Sequence, residues 1–84
     1  MRHITPGRLD GIEPLLEQLR TIDGLTEKRR GAFYRRSKAF LHFHEHGDDI
    51  YADLRVVGTD FERRRVTTAT ERKKLVADIR RAVK

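Results

Sequence analysis

The stretch Ala39-Phe40-Leu41-His42-Phe43-His44-Glu45-His46-Gly47-Asp48-Asp49-Ile50-Tyr51-Ala52-Asp53-Leu54-Arg55-Val56 decides how this chain folds. Apolar and polar residues alternate through both halves, the two-residue period of strands that bury one face. His46-Gly47-Asp48-Asp49 between them has the residues of a turn. With that loop, Glu45 opposes Ile50, Phe43 opposes Ala52 and Leu41 opposes Leu54. These pairs, with Tyr34 from a preceding strand, make the expected core face. The opposite face carries His44 against Tyr51, His42 against Asp53 and Phe40 against Arg55, with Phe33 and Arg35 joining from the strand before. Directly opposed side chains interact. His42 is therefore expected to hydrogen-bond Asp53, which fixes its tautomer and raises its basicity.

Upstream, Ala32-Phe33-Tyr34-Arg35-Arg36 reads as a strand that turns at Ser37-Lys38, although no Gly or Asn stands there to favour a primed turn. Glu27 to Gly31 reads as a charged linker. Leu9, Ile12, Leu15, Leu16, Leu19 and Ile22 recur at helical spacing, which predicts a helix over about 11–22. Asp10 and Glu13 are its expected capping box. Pro14 is tolerated in the first turn, and Gly24 suits the end. Met1 to Arg8 is expected to be loose.

Downstream, Gly58-Thr59-Asp60 forms a turn and Phe61 to Val66 a further strand. Thr68 and Glu71 then make a capping box for a helix of about 69–83. Leu75, Val76, Ile79, Ala82 and Val83 share one arc of it, and Lys73, Lys74, Arg80, Arg81 and Lys84 share the other. The fold class is α+β: one small domain over 1–84, an antiparallel meander of three or four strands flanked by an N-terminal and a C-terminal helix.

The 84 residues include no cysteine, so disulfides and thiol chemistry are excluded. No run approaches the roughly 18 apolar residues of a membrane span, and residues 1–20 lack the apolar segment of a signal peptide. A cytoplasmic protein without a membrane partner is expected. The formal net charge is +6, and residues 1–60 balance ten Lys/Arg against ten Asp/Glu. The excess therefore lies in residues 61–84, with nine Lys/Arg against three Asp/Glu. A second basic cluster, Lys28, Arg29, Arg30, Arg35, Arg36 and Lys38, is offset by acids elsewhere. Such asymmetry points to a polyanion partner.

Nucleic-acid contact is accordingly expected through Arg63, Arg64, Arg65, Lys73, Lys74, Arg80, Arg81 and Lys84, whose cations can follow phosphates. Phe40, His42, His44, Tyr51, Asp53 and Arg55 are the candidates on the sheet face, where rings can stack bases. The rival is a homodimer or protein interface on the same face, anchored by Phe33 and Phe40. A purely structural cross-strand pair explains the same residues more simply. His42, His44 and His46 at i, i+2, i+4, with Asp53 opposite, have a zinc-like spacing. His46 falls in the turn, however, and no Cys pair or His-Glu-x-x-His motif accompanies them. No metal, cofactor or catalytic residue is assigned, and an enzyme is not expected: Ser37, the only serine, lacks an assignable base.

The segment Gly31-Ala-Phe-Tyr-Arg-Arg-Ser-Lys-Ala-Phe-Leu-His-Phe-His resembles the sheet of small MmcQ/YjbR-like domains. Their Phe-rich strand, tight basic turn and following strand correspond to Phe33, Lys38, Phe40 and the strand Asp49–Val56. The resemblance spans residues 25–83. It implies a meander flanked by helices and, from the fold, a proposed DNA-binding role. It carries no catalytic residue. This chain departs from the family in length and in lacking a Trp in its C-terminal half.

Overall fold

A computed structural model describes residues 1–56 and 58–83. The elements are β1 (Arg2–His3), α1 (Pro6–Gly11), α2 (Glu13–Arg20), β2 (Thr26–Arg29), β3 (Ala32–Arg35), β4 (Lys38–His46), β5 (Asp49–Leu54), β6 (Glu62–Arg65) and α3 (Ala69–Ala82). The fold is α+β. Strands β2 to β6 form an antiparallel meander in sequence order, and β1 pairs with β4. β4 is the spine. One of its edges pairs with β5 from Leu41 to His46. The other is shared by β3, at Lys38 to Leu41, and β1, at His44 and Glu45.

All three helices cover one face. Leu9, Ile12, Leu16, Leu19, Leu75 and Ile79 form a single buried cluster with Phe33, Leu41, Phe43, Ala52 and Leu54. The β4–β5 register is the expected one, with Leu41 opposite Leu54, Phe43 opposite Ala52 and Glu45 opposite Ile50. α3 begins as expected: Thr68 Oγ1 accepts from the Glu71 amide, and the Glu71 carboxylate accepts from the Thr68 amide. Among the described residues, no helix is long and apolar enough to cross a membrane.

The N-terminal third departs from the sequence reading. Residues 1–8 are not loose: Arg2 and His3 pair with Glu45 and His44, and Pro6 opens a helix. Asp10 does not cap a helix over 11–22 but lies inside α1. α1 and α2 meet at fully buried Ile12, each with a proline in its first turn, where the missing N–H has no partner to lose. Buried Glu45 pins this segment. Its Oε1 accepts from Arg2 Nη2 at 2.8 Å, and its Oε2 accepts from the Thr5 amide at 2.9 Å and the Thr5 hydroxyl at 3.1 Å. These bonds hold the Glu45 carboxyl down at about 2.

The charged linker of residues 27–31 is largely an edge strand. β2 shows no apolar alternation because both of its faces are mostly exposed, and charge on an edge discourages further pairing. Gly31 ends the β2–β3 turn at φ +81°, where a Cβ would stand 2.8 Å from Leu9 Cδ2. Glycine is therefore favoured there, since any other residue would be strained at this φ and would push Leu9 aside.

The β3–β4 turn falls at Arg36-Ser37, not Ser37-Lys38. Both residues have positive φ, 53° and 67°, the left-handed region that a type I′ turn needs. Moving a two-residue turn by one position shifts the register by two and keeps each residue on its face. The bulge that follows flips β3, so Phe33 is buried opposite Leu41 while half-buried Tyr34 stands on the other face. Between the pairs Tyr34–Ala39 and Phe33–Leu41, β4 advances two residues to one of β3. Phe40 is the extra residue of this bulge and joins the core, so it does not share a face with His42.

Candidate functional site

With the helices on the Leu41–Phe43 side, strict alternation beyond the bulge leaves His42 and His44 on the face without helices. The register sets Asp53 opposite His42 and Tyr51 opposite His44. β1 adds His3 beside His44, and β6 adds Arg63 beside Asp53 and Arg65 beside Tyr51. Four strands thus meet around one carboxylate.

Asp53 is only 6 % exposed. Its Oδ1 accepts from Arg63 Nε at 2.8 Å, and its Oδ2 accepts from Arg63 Nη2 at 3.0 Å. His42 Nε2 and His44 Nε2 lie 3.3 and 3.0 Å from that same Oδ2. The Arg63 hydrogen bonds hold the Asp53 carboxyl below the usual aspartate range, against the opposing effect of burial. For His42, burial outweighs the attraction of Asp53 and lowers the imidazole below its ordinary value. The expected rise in basicity is therefore reversed.

Rings gather around this centre. His3 stacks on His44 with centroids 4.8 Å apart, and His42 meets His44 edge-on at 4.9 Å. Phe61, exposed at the surface, meets His42 edge-on at 5.0 Å, and the Arg55 guanidinium lies 5.3 Å from the Phe61 centroid. Arg55 also donates to the Ala39 carbonyl. Farther along the face, Lys28 Nζ sits 4.6 Å over the Tyr34 ring. Of the six expected face residues, His42, His44, Tyr51, Asp53 and Arg55 come together and Phe40 does not. His3, Phe61, Arg63 and Lys28 are additions. The strand expected over Phe61 to Val66 carried Phe61 and Arg63 without showing which strand it pairs with, and β1 is too short to read alone.

The expected basic surface is largely neutralised. Arg63 pairs with Asp53, and Arg64 pairs with Asp78 at 2.9 Å. Arg65 bridges Asp49 and Glu71 at 3.1 and 2.8 Å. Lys74 and Arg81 also reach Asp78. Lys73 and Arg80 form no ion pair among the described residues, and Lys84 lies outside them. Another group of cations without ion pairs among the described residues gathers elsewhere. Arg35, Arg36, Lys38 and Arg55 line a shallow recess of about 320 Å³ at the β3–β4 turn, and no carboxylate among the described residues shares its wall.

Comparison of the chain with protein families, with curated proteins and with solved structures finds no match. The likeness to MmcQ/YjbR-like domains is neither supported nor opposed by that result, and the site is read from its own chemistry.

Proposed function

We propose that this chain is a non-catalytic module that binds single-stranded nucleic acid at the β3–β4 turn end of the sheet, next to the face without helices. The recess of Arg35, Arg36, Lys38 and Arg55 would meet phosphates, while Phe61 and Tyr34 would offer rings to bases. The observation that carries this reading is the wall of that recess, which holds four cations and, among the described residues, no carboxylate, so its charge is available to a polyanion. Lys73 and Arg80 on α3 are the remaining unpaired part of the expected stripe. The neutralised Arg63, Arg64 and Arg65 take no part.

The test is binding of fluorescent single- and double-stranded DNA and RNA of mixed sequence, at low and near-physiological salt. Binding that persists at the higher salt and favours single strands is expected. Reversing Arg35, Arg36 and Lys38 to Glu should weaken it by on the order of 100-fold and lower the salt slope by about 2, at roughly 0.7 per lost phosphate contact. Binding seen only at low salt would sink the proposal. It would favour self-association through Val56 and Phe61, which are 43 % and 39 % exposed beside this recess and its neighbouring rings. That reading requires a concentration-dependent mass that Phe61→Glu abolishes.

A further inference from the structure

The Asp53 centre has a second capacity, independent of nucleic-acid binding. We propose that His42, His44 and Asp53 form a binding site for a divalent transition-metal ion of the zinc type, taken up through the two Nε2 atoms and Asp53 Oδ2.

Two of the three ligand-atom separations are close to those that an ion of this type would set. Zinc bonds nitrogen and oxygen at about 2.0–2.2 Å, which in a tetrahedron sets the ligand atoms roughly 3.3–3.5 Å apart. Here Nε2 of His42 and of His44 stand 3.3 and 3.0 Å from the shared Oδ2. The three ligand atoms all lie within 4.8 Å of one another. An ion would enter as the two imidazoles turn to aim Nε2 at it in place of their contact with Oδ2.

The scaffold is rigid and pre-aimed. The two histidines are i, i+2 neighbours on β4, and Asp53 is held opposite by an unbroken antiparallel register from Leu41 to His46. Arg63 fixes the carboxylate plane, the kind of outer contact that orients metal ligands. Ligation through Nε2 requires each ring to carry its proton on Nδ1. Two imidazoles and a carboxylate suit zinc, cobalt(II), nickel(II) and copper(II), and not magnesium or calcium. The Arg63 charge opposes the incoming cation, so moderate affinity is expected. His3, stacked on His44, is a further imidazole beside the cluster. His46 is exposed at the end of β4, opposite Asp49 and not Asp53, and takes no part.

The test is a cobalt(II) titration of the full chain without an affinity tag, followed by visible absorption. One equivalent should give the intense ligand-field bands of a low-coordinate site, and zinc should displace it. His42→Gln and His44→Gln should each weaken cobalt binding by about 100-fold or more, while His46→Gln leaves it unchanged. Amide NMR spectra confirm that each variant is folded. Absence of the bands in the folded wild type overturns the proposal, whatever the variants do. So does a titration that survives in the His42→Gln/His44→Gln double variant or is lost in His46→Gln.

Discussion

The two faces of the sheet are built from alternate residues of the same two strands, and each holds one buried carboxylate. On the helix-covered face, Glu45 is closed off by the backbone and hydroxyl of Thr5 and by Arg2. On the other face, Asp53 is ringed by two imidazoles and one half-exposed guanidinium. A backbone N–H cannot leave without undoing the fold, so Glu45 is a fastening. Imidazoles and a guanidinium can rotate away or exchange partners, so Asp53 is a site. The two-residue period of a strand thus separates what holds the molecule together from what can engage a partner.

Removing Phe43 tests this separation most severely. Phe43→Ala empties a fully buried position on the covered face and should cost about 3–5 kcal/mol in urea unfolding. For so small a domain that consumes much of the total stability. Next comes Glu45→Gln, which removes the charge facing Arg2 and Thr5. β1 should detach locally, with hydrogen exchange of the Thr5 amide faster by on the order of tenfold. The Asp53 cluster should lose His3 and keep its other contacts.

Acid should then part the faces in order. His42 lies below its ordinary value, so its neutral form stabilises the fold above about pH 6.5 and that contribution fades as pH falls through its folded value. Glu45 is held at about 2 against an ordinary 4.5. Its contribution is full above about pH 4.5 and is lost only as pH falls toward 2. An NMR titration should show His42 protonating well before the Thr5 amide shifts, and simultaneous movement would break the distinction. The smallest effect on stability belongs to Phe61→Ala on the open face, about 0.5–1 kcal/mol in the same urea assay. If its cost rivals that of Phe43→Ala, the open face is a second core.

What could be read from the sequence was local. The β4–β5 register follows from alternation around one Gly-Asp turn, and the α3 start follows from Thr68 and Glu71 three residues apart. Hidden features depended on partners far along the chain. Glu45 meets Thr5 across forty residues, and nothing in Met1–Arg8 announces it. Arg63, Arg64 and Arg65 look like a bare cationic run until β5 and α3 bring Asp53, Asp49, Glu71 and Asp78 to them. Phe40 was misplaced because a bulge breaks the alternation and leaves no compositional mark. The same bulge exchanges the faces of Phe33 and Tyr34, while the turn itself moves by one position because two residues without glycine's freedom make it.

That turn is expensive. Arg36 and Ser37 each occupy backbone space that costs an ordinary residue about 1 kcal/mol or more, and Asn-Gly would fit it with less strain. Replacing the pair with Asn-Gly should therefore raise the melting temperature while removing a guanidinium from the edge of the cationic recess. A screen for thermal stability alone would select against the charge at this tip, and selection for polyanion binding would restore it.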